Sequence, residues 1–352
     1  MTRKIKVLVV DDSALVRQIL TQGLSLDPQI EVVGHASDPY AATEKINKYM
    51  PDVLTLDVEM PRMDGVEFLK QLMPQHPIPV VMVSALTQKG KAITLEALDA
   101  GAVDFVTKPS SDIARGLNEM LGDLRAKIKT ASTANVAGRL IARDKDKPEP
   151  VIRFSKALAE STDKVIAIGA STGGTEAIRQ VIERFPSDMP GVVIVQHMPA
   201  GFTKMFADRL NQMCPMIVKE AEKGDRIMTG RILIAPGDYH MAVRRSGGNY
   251  IVDVREGEKV CGHRPSVEVL FESVAEHVGS NAVGVMLTGM GHDGADAMVK
   301  MRQVGARTMA QDQATSVVFG MPREAYERGG AERLLPLSAI PQAIVNIFAE
   351  GK

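Results

Sequence analysis

An apolar run passes directly into small residues at Val165-Ile-Ala-Ile-Gly-Ala-Ser-Thr-Gly-Gly174, and a helix-like sequence follows from Thr175. This pattern predicts a buried strand, a tight turn and a helix, as in a parallel α/β sheet. Glycines on both sides of Ser171 allow another group to approach its hydroxyl closely, and N–H groups at the start of the helix could stabilise an oxyanion. Ser171 could equally be only a helix cap, so this segment leaves both interpretations open.

Two later strands end in residues that complement a serine nucleophile. Val192-Val-Ile-Val-Gln-His197 places a histidine after a buried-type strand, and the strand from Ala282 runs into a glycine-rich turn that carries Asp293. The carboxyl ends of parallel strands meet at one edge of a sheet, where ligands bind. The sequence therefore predicts a triad in which Ser171 attacks, His197 takes its proton and Asp293 orients the imidazole.

The order of these residues along the chain excludes several familiar enzyme classes. Gly169 to Gly173 match the G-x-S-x-G turn of α/β-hydrolases, but that fold places its histidine after the acid, and no histidine follows His292. The glycines also match neither G-x-G-x-x-G nor a P-loop. The order Ser, His, Asp favours a triad that arose independently of the α/β-hydrolases, on a doubly wound sheet.

The first half of the chain carries a second set of charged residues at strand ends. Asp11 and Asp12 follow one apolar strand, Asp57 and Ser84 end two others, and Lys108 ends a fourth. Three carboxylates at one sheet edge repel one another unless a cation lies among them, and Mg²⁺ prefers such oxygen ligands. A lysine beside them would stabilise a transferred phosphoryl group. The alternative, that the carboxylates only cap helices, does not explain why the lysine is there.

Composition limits the classes of protein to consider. The chain has 352 residues, 45% of them hydrophobic, and a net charge of −1. These values predict about two domains and give no reason to expect binding to nucleic acid. Cys214 and Cys261 are too far apart for a C-x-x-C site, and no signal peptide or membrane-spanning run is evident. We expect a cytoplasmic protein that does not insert into membranes.

Changes in composition divide the chain into three parts. Alternating strand and helix patterns fill residues 1–125, residues 126–160 are polar and end near prolines, and residues 161–350 return to α/β patterning. The predicted fold class is α/β: an N-terminal flavodoxin-like domain with a five-stranded parallel sheet, a flexible linker, and a C-terminal doubly wound α/β catalytic domain.

The motifs in both halves resemble known families. Residues 1–125 resemble a response-regulator receiver domain, with Asp57 as phosphoacceptor, Ser84 as switch hydroxyl and Lys108 in a Lys-Pro motif. Residues from 161 onward resemble the catalytic domain of the chemotaxis methylesterase, through Gly-Ala-Ser171-Thr-Gly-Gly, Gln-His197-Met and Gly-Met-Gly-His-Asp293-Gly.

The resemblance implies an activity and partners. It implies phosphorylation-activated hydrolysis of glutamyl methyl esters, and deamidation of glutamines, on methyl-accepting chemoreceptors, with the chemotaxis histidine kinase as phosphodonor. It also implies that the Met290 N–H is an oxyanion donor and that Thr172 lines the site. In the receiver it implies Mg²⁺ held by Asp12, Asp57 and the Glu59 carbonyl, with Asp11 acting through water.

Two alternative functions remain open at this stage. An esterase or amidase under two-component control could act on another acyl substrate, since no visible pocket residue identifies the substrate. A non-enzymatic regulator could use the glycine turns only to shape a receptor-binding surface. The second alternative does not explain why Ser, His and Asp stand at three strand ends.

Overall fold

The computed structural model describes residues 3–85, 87–109, 113–136 and 163–350. The chain divides into two compact units, Met1–Asp144 and Lys145–Lys352. Most of the predicted linker, residues 137–160, lies outside the described residues, so the linker assignment stays a prediction. None of the described helices is long and apolar enough to cross a bilayer.

Within its described residues the first unit alternates five strands with five helices, which agrees with the predicted five-stranded α/β domain. Its strands pair in parallel in the order β2-β1-β3-β4-β5. This confirms the flavodoxin-like arrangement. The elements are β1 (Ile5–Val10), α1 (Ala14–Ser25), β2 (Ile30–Ala36), α2 (Pro39–Tyr49), β3 (Val53–Asp57), α3 (Gly65–Gln75), β4 (Val80–Ala85), α4 (Gln88–Ala100), β5 (Asp104–Lys108) and α5 (Ile113–Ala131).

Short polar side chains start the helices of this unit. Ser13, Asp38, Asp64 and Thr87 each accept a hydrogen bond from a backbone N–H in the first turn of α1, α2, α3 and α4, respectively. Such caps satisfy N–H groups that have no partner inside the helix. These caps lie at the carboxyl edge of the parallel sheet, and Ser13 and Asp64 fix the loops that carry Asp12 and Glu59.

Helix α5 extends beyond the predicted domain boundary at residue 125. Leu124, Ile128 and Ala131 are fully buried and recur at helical spacing. Lys127 on another face forms ion pairs with Asp104 at 3.1 Å and Asp123 at 3.4 Å. Residues 126–131 are therefore helix rather than linker, because their small side chains belong to an apolar stripe that the polar composition concealed.

The second unit is built around a parallel sheet of seven strands in the order β15-β14-β13-β6-β7-β10-β8. This confirms the predicted doubly wound α/β domain. Its elements are β6 (Val165–Ala170), α6 (Gly174–Ile182), β7 (Gly191–Gln196), α7 (Phe202–Met213), β8 (Ile217–Glu220), β9 (Arg226–Ile227), β10 (Arg231–Ile234), β11 (His240–Ser246), β12 (Asn249–Arg255), α8 (Val267–His277), β13 (Ala282–Met286), α9 (Ala295–Gln303), β14 (Arg307–Gln311), α10 (Met321–Glu327), β15 (Leu334–Leu335) and α11 (Ile340–Glu350).

The strand order reverses at β6, which has β7 on one side and β13 on the other. Loops leaving neighbouring strands on either side of such a point diverge and open a crevice at the carboxyl edge of the sheet. Ser171, His197 and Asp293 follow these three adjacent strands, β6, β7 and β13, respectively.

A three-stranded antiparallel sheet, β11-β12-β9, was not predicted. Strands β11 and β12 form a hairpin that turns at Gly247, whose φ of 58° suits glycine. The inner face of the hairpin contributes Met241, Val243 and Val252 to the main core, together with Phe271 of α8. The hairpin thus supports α8, the helix whose N-terminus reaches the candidate site.

Candidate active site

Ser171 directly follows β6, and two residues separate it from α6. Its N–H donates to the Thr288 carbonyl at 3.0 Å, and its carbonyl accepts from Gly174 N–H at 2.7 Å. The turn between strand and helix passes through Gly173, whose φ is 77°. A side chain there would be strained and would meet Val317. The backbone therefore holds Ser171 in a tight turn at the carboxyl edge of the sheet.

His197 directly follows β7, and its N–H continues the pairing of the two strands by donating to the Ala170 carbonyl at 3.1 Å. Ser171 and His197 thus stand at the ends of adjacent strands. The imidazole Nε2 lies 2.7 Å from Asp293 Oδ2, so these two predicted residues are in direct contact. Both side chains are nearly inaccessible to solvent.

Asp293 is the most extensively bonded acceptor of the site. Besides His197, its carboxylate accepts from Ser266 Oγ at 2.7 Å, Val267 N–H at 2.7 Å and Glu268 N–H at 3.0 Å. The last two groups belong to the first turn of α8. Burial by itself would raise the pKa of Asp293, but the hydrogen bond and charge of His197, with the bonds from Ser266 and Glu268, lower it. Asp293 is therefore ionised at neutral pH.

The two imidazole nitrogens of His197 have different environments. Since Nε2 faces the carboxylate, Nε2 carries the proton and Nδ1 is the basic nitrogen. Within the described residues Nδ1 is buried and makes no hydrogen bond. A buried nitrogen lone pair without a hydrogen-bond donor can accept a proton. Nδ1 is therefore the atom of His197 that remains available to a serine hydroxyl.

The loop after β13 approaches the serine closely. A Cβ on Gly289 would lie 2.8 Å from Ser171 Cβ and 2.4 Å from Met321 Sδ, so this position requires glycine. The next residue, Met290, is 51% exposed, and its N–H has no hydrogen-bond acceptor among the described residues. Thr172 is buried, and its carbonyl accepts from Thr288 Oγ1 at 3.0 Å. Of the two residues that the resemblance implies at the site, Met290 is thus exposed and Thr172 is buried.

Sequence reasoning missed several side chains that hold the site. Gln196 Nε2 donates to the carbonyls of Ser171 at 2.9 Å and His197 at 3.2 Å, and so ties the two turns together. The imidazole of His263 lies face to face with that of His197, their centroids 3.7 Å apart. The position of Gln196 next to His197 could have identified it as a site residue. No sequence feature identifies His263 and Ser266, which precede a helix far along the chain.

Cys261 lies close enough to Asp293 and Glu268 to interact with their charges. Partial burial, together with the negative charges of Asp293 and Glu268, raises the pKa of the Cys261 thiol to about 11. The thiol is therefore protonated at neutral pH. Glu268 Oε2 accepts from Gly294 N–H at 3.1 Å, and burial raises its pKa as well.

The charged residues of the first unit also meet at one sheet edge. Oxygen atoms of Asp11, Asp12 and Asp57 lie within 4.8 Å of one another. Lys108 Nζ bridges two of them, at 3.0 Å from Asp11 Oδ2 and 2.9 Å from Asp57 Oδ2. Burial and the neighbouring charge of Asp11 raise the pKa of Asp57 to about 6, although Lys108 opposes this shift. These carboxylates form a compact site with excess negative charge.

The arrangement of these oxygens fits a hard divalent cation. Asp12 and Glu59 are exposed beside a cavity of about 520 Å³ that also reaches Asp57, Lys89 and Lys108. Room for a phosphoryl group therefore adjoins the carboxylates.

Ser84, near the end of β4, is fully buried. Its hydroxyl accepts from Thr94 Oγ1 at 2.6 Å and lies within hydrogen-bond distance of the Gly90 carbonyl. It is therefore bonded to α4 in this conformation, and not to Asp57.

Comparison with known proteins gives consistent results for both units. A family model described as CheB methylesterase matches residues 166–344, and the model of the response regulator receiver domain matches residues 7–119. A relative from Syntrophotalea carbinolica is named "Protein-glutamate methylesterase/protein-glutamine glutaminase" and is 66% identical over 352 residues, 100% of both chains. A relative of the same name from Salmonella typhimurium is 51% identical over 99% of this chain and 98% of its own. The crystal structure of the Thermotoga maritima CheB methylesterase catalytic domain covers 52% of this chain and 98% of its own, with 38% identity and a TM-score of 0.51.

Proposed function

We propose that this chain, which belongs to the CheB methylesterase family, hydrolyses γ-glutamyl methyl esters on methyl-accepting chemoreceptors and deamidates glutamines at such positions. Phosphorylation of Asp57 activates this reaction, so that the protein contributes to chemotactic adaptation. The observation that carries the proposal is the His197–Asp293 pair at the strand ends beside Ser171. The full-length relatives named for both activities support the choice of substrate.

Acylation begins when Ser171 Oγ attacks the ester carbonyl carbon. The hydroxyl proton passes to Nδ1 of His197, and the ionised Asp293 stabilises the imidazolium through its bond to Nε2. The substrate carbonyl oxygen becomes an oxyanion, which the Met290 N–H would bind. When the C–O bond to the methoxy group breaks, His197 returns the proton to that oxygen. Methanol leaves, and the glutamyl group remains on Ser171 as an ester.

Deacylation repeats the proton transfers with water. His197 takes a proton from a water molecule that attacks the acyl carbon, and then returns it to Ser171 Oγ as glutamate leaves. A glutamine side chain presents an acyl group of the same shape, with ammonia as the leaving group. One nucleophile, one base and one oxyanion donor therefore serve both reactions, because only the protonated leaving group differs.

In the receiver, Asp57 accepts the phosphoryl group from the chemotaxis histidine kinase. Asp12, Asp57 and the Glu59 carbonyl would hold a Mg²⁺ ion, with Asp11 through water, and its charge would neutralise the phosphoryl oxygens. Lys108, already 2.9 Å from Asp57, would pair with the phosphoryl group after transfer. Ser84 would have to leave its bond with Thr94 to reach that group, which makes it the switch hydroxyl.

We further propose that residues 1–125, together with the last turns of α5, are the regulatory receiver and that residues 161–350 are the esterase. The rest of residues 126–160 joins them. In the unphosphorylated protein the receiver restricts access to the esterase, and phosphorylation releases it. We also propose that the protein is cytoplasmic, because the proposed kinase would act on it there.

The test measures methanol release from methylated chemoreceptor fragments by the full-length protein, with and without Mg²⁺ and a small-molecule phosphodonor. We expect release that the phosphodonor increases. Ser171→Ala should reduce it by at least about 10³-fold, since triad members act as a unit, while leaving thermal stability unchanged. Asp57→Asn should retain the basal rate but lose the increase.

Each result separates the proposal from its competitors. If Ser171→Ala retains near-normal release, Ser171 is not the nucleophile. If the wild type binds receptor fragments but releases neither methanol nor ammonia, the protein is a non-enzymatic regulator. If a model ester is cleaved through Ser171 and receptor fragments are not, the substrate is another acyl compound.

A further inference from the structure

We infer that His263 is a positioning residue of the triad: its ring holds the plane of the His197 imidazole and favours the imidazolium that forms during catalysis. The inference deepens the proposed function and rests on His197 as its general base. It starts from the contact between the two rings, whose centroids are 3.7 Å apart and whose planes differ by 12°.

A second contact is needed because the carboxylate fixes only one atom of the base. The bond from Nε2 of His197 to Asp293 sets the position of that nitrogen but allows the ring to tilt about it. A flat group against the ring face prevents the tilt. Nδ1, at the other side of the ring, is then held in the direction from which a serine hydroxyl would be deprotonated. Misplacement of a reacting atom by about 1 Å can lower a rate by about 100-fold.

The segment that carries His263 is itself well fixed. His263 and Val260 exchange two backbone hydrogen bonds, of 2.9 and 3.1 Å. Three and four residues further on, Ser266 and Val267 donate to the Asp293 carboxylate. One segment, residues 260–267, therefore supports both members of the His–Asp pair, one through a ring contact and the other through hydrogen bonds.

The geometry of the ring contact favours a charged His197. Two neutral aromatic rings gain little from lying face to face, because their quadrupoles repel in that arrangement. A cation over the face of a neutral ring is attracted. In the proposed mechanism His197 carries a positive charge once it has taken the Ser171 proton. The contact is therefore more favourable beside the tetrahedral intermediate than in the resting enzyme, and this difference accelerates the reaction.

The experiment compares His263→Ala with His263→Phe in the full-length protein, using methanol release with phosphodonor and Mg²⁺ present. We expect the alanine variant to lose about 10- to 100-fold in kcat with KM nearly unchanged. The phenylalanine variant should recover most of the loss, because it restores a flat ring without imidazole chemistry. His277→Ala, at the far end of α8, is the matched control and should behave as the wild type.

A second readout needs no receptor substrate. In the wild type the Nε2 proton of His197, bonded to Asp293, should give an NMR signal protected from exchange with water. The signal should broaden in His263→Ala and persist in His263→Phe, while calorimetry confirms that both variants are folded.

Three results would overturn the inference. The first is wild-type kcat in His263→Ala, and the second is an equally low kcat in the alanine and phenylalanine variants, which would mean that the ring contact is not what matters. The third is an unchanged Nε2 proton signal in the alanine variant. Absence of methanol release by the wild type would instead count against the proposed function, and the NMR comparison would still test the ring contact.

Discussion

Replacement of Asp293 by alanine should destabilise the catalytic domain as well as inactivate it. The carboxylate accepts from Ser266, Val267 and Glu268 in addition to His197. In Asp293→Ala the Ser266 hydroxyl can rotate and the Glu268 N–H can reach water, but the Val267 N–H is fully buried. An unsatisfied buried donor costs about 1–3 kcal/mol, and loss of a helix cap costs about 0.5–2 kcal/mol. We therefore expect a loss of about 3 kcal/mol in the free energy of unfolding.

Calorimetry of the full-length protein measures this effect. In a domain of this size 1 kcal/mol corresponds to about 2–4 °C, so the catalytic-domain transition should fall by about 6–12 °C. The receiver transition should not move and serves as an internal control. Ser171→Ala is the matched inactive variant and should melt as the wild type does. Hydrogen exchange of the first turn of α8 should accelerate in Asp293→Ala alone.

The pH dependence follows from the lowered pKa of Asp293, which its bonds to His197 and Ser266 produce against the effect of burial. A carboxyl with a depressed pKa in the folded state stabilises the protein above its unfolded pKa and loses that contribution in acid. The difference in melting temperature should thus be constant near neutral pH and shrink below about pH 4. If Asp293→Ala melts within about 1 °C of Ser171→Ala at neutral pH, the capping argument is wrong.

Three further predictions concern the receiver, the serine loop and the regulation. Burial and the charge of Asp11 raise the pKa of Asp57 to about 6, so ionisation of this carboxyl lowers the stability of the receiver as pH rises from about 4 to 6. Mg²⁺ should therefore raise the melting temperature of the receiver more at about pH 7.5 than at about pH 5. Equal shifts at the two pH values would contradict metal binding at Asp57. In Gly289→Ala the new Cβ would lie 2.8 Å from Ser171 Cβ, so this variant should have a kcat at least about 10-fold lower. Wild-type kinetics would show that the loop can shift to accommodate the added methyl group. Deletion of residues 1 to about 150 should raise basal methanol release and abolish its dependence on phosphodonor, whereas a slower truncated protein would mean that the receiver assembles the site.

The strands and the chemistry at their ends were predictable from local patterns. Each of the buried strands before Ser171, His197 and Asp293 is an unbroken apolar run, and parallel sheets bring such ends to one edge. The same reasoning brought Asp57 together with Lys108, now seen at 2.9 Å. Periodicity and strand ends carry this information without knowledge of the tertiary structure.

The supporting residues were not predictable in the same way. His263 and Ser266 belong to a loop that no periodicity places, and their contacts depend on how α8 packs against the hairpin of β11 and β12. The end of α5 was misjudged because the buried positions of its last turns, such as Ala131, are small and lie among polar residues. In each case the deciding contact comes from a distant part of the chain.

The central position of β6 in its sheet has a consequence for how the enzyme is made. Its neighbour β13 is synthesised more than a hundred residues later, and the histidine and the acid that bond to each other are 96 residues apart. Pairing of such distant strands is slow and cannot begin until both have left the ribosome. A nascent or prematurely terminated chain therefore carries Ser171, the proposed nucleophile, long before it has Asp293, the proposed acid. Under the proposed mechanism, hydrolytic activity arises only in a completed domain, so incomplete products should release no methanol from methylated receptor fragments.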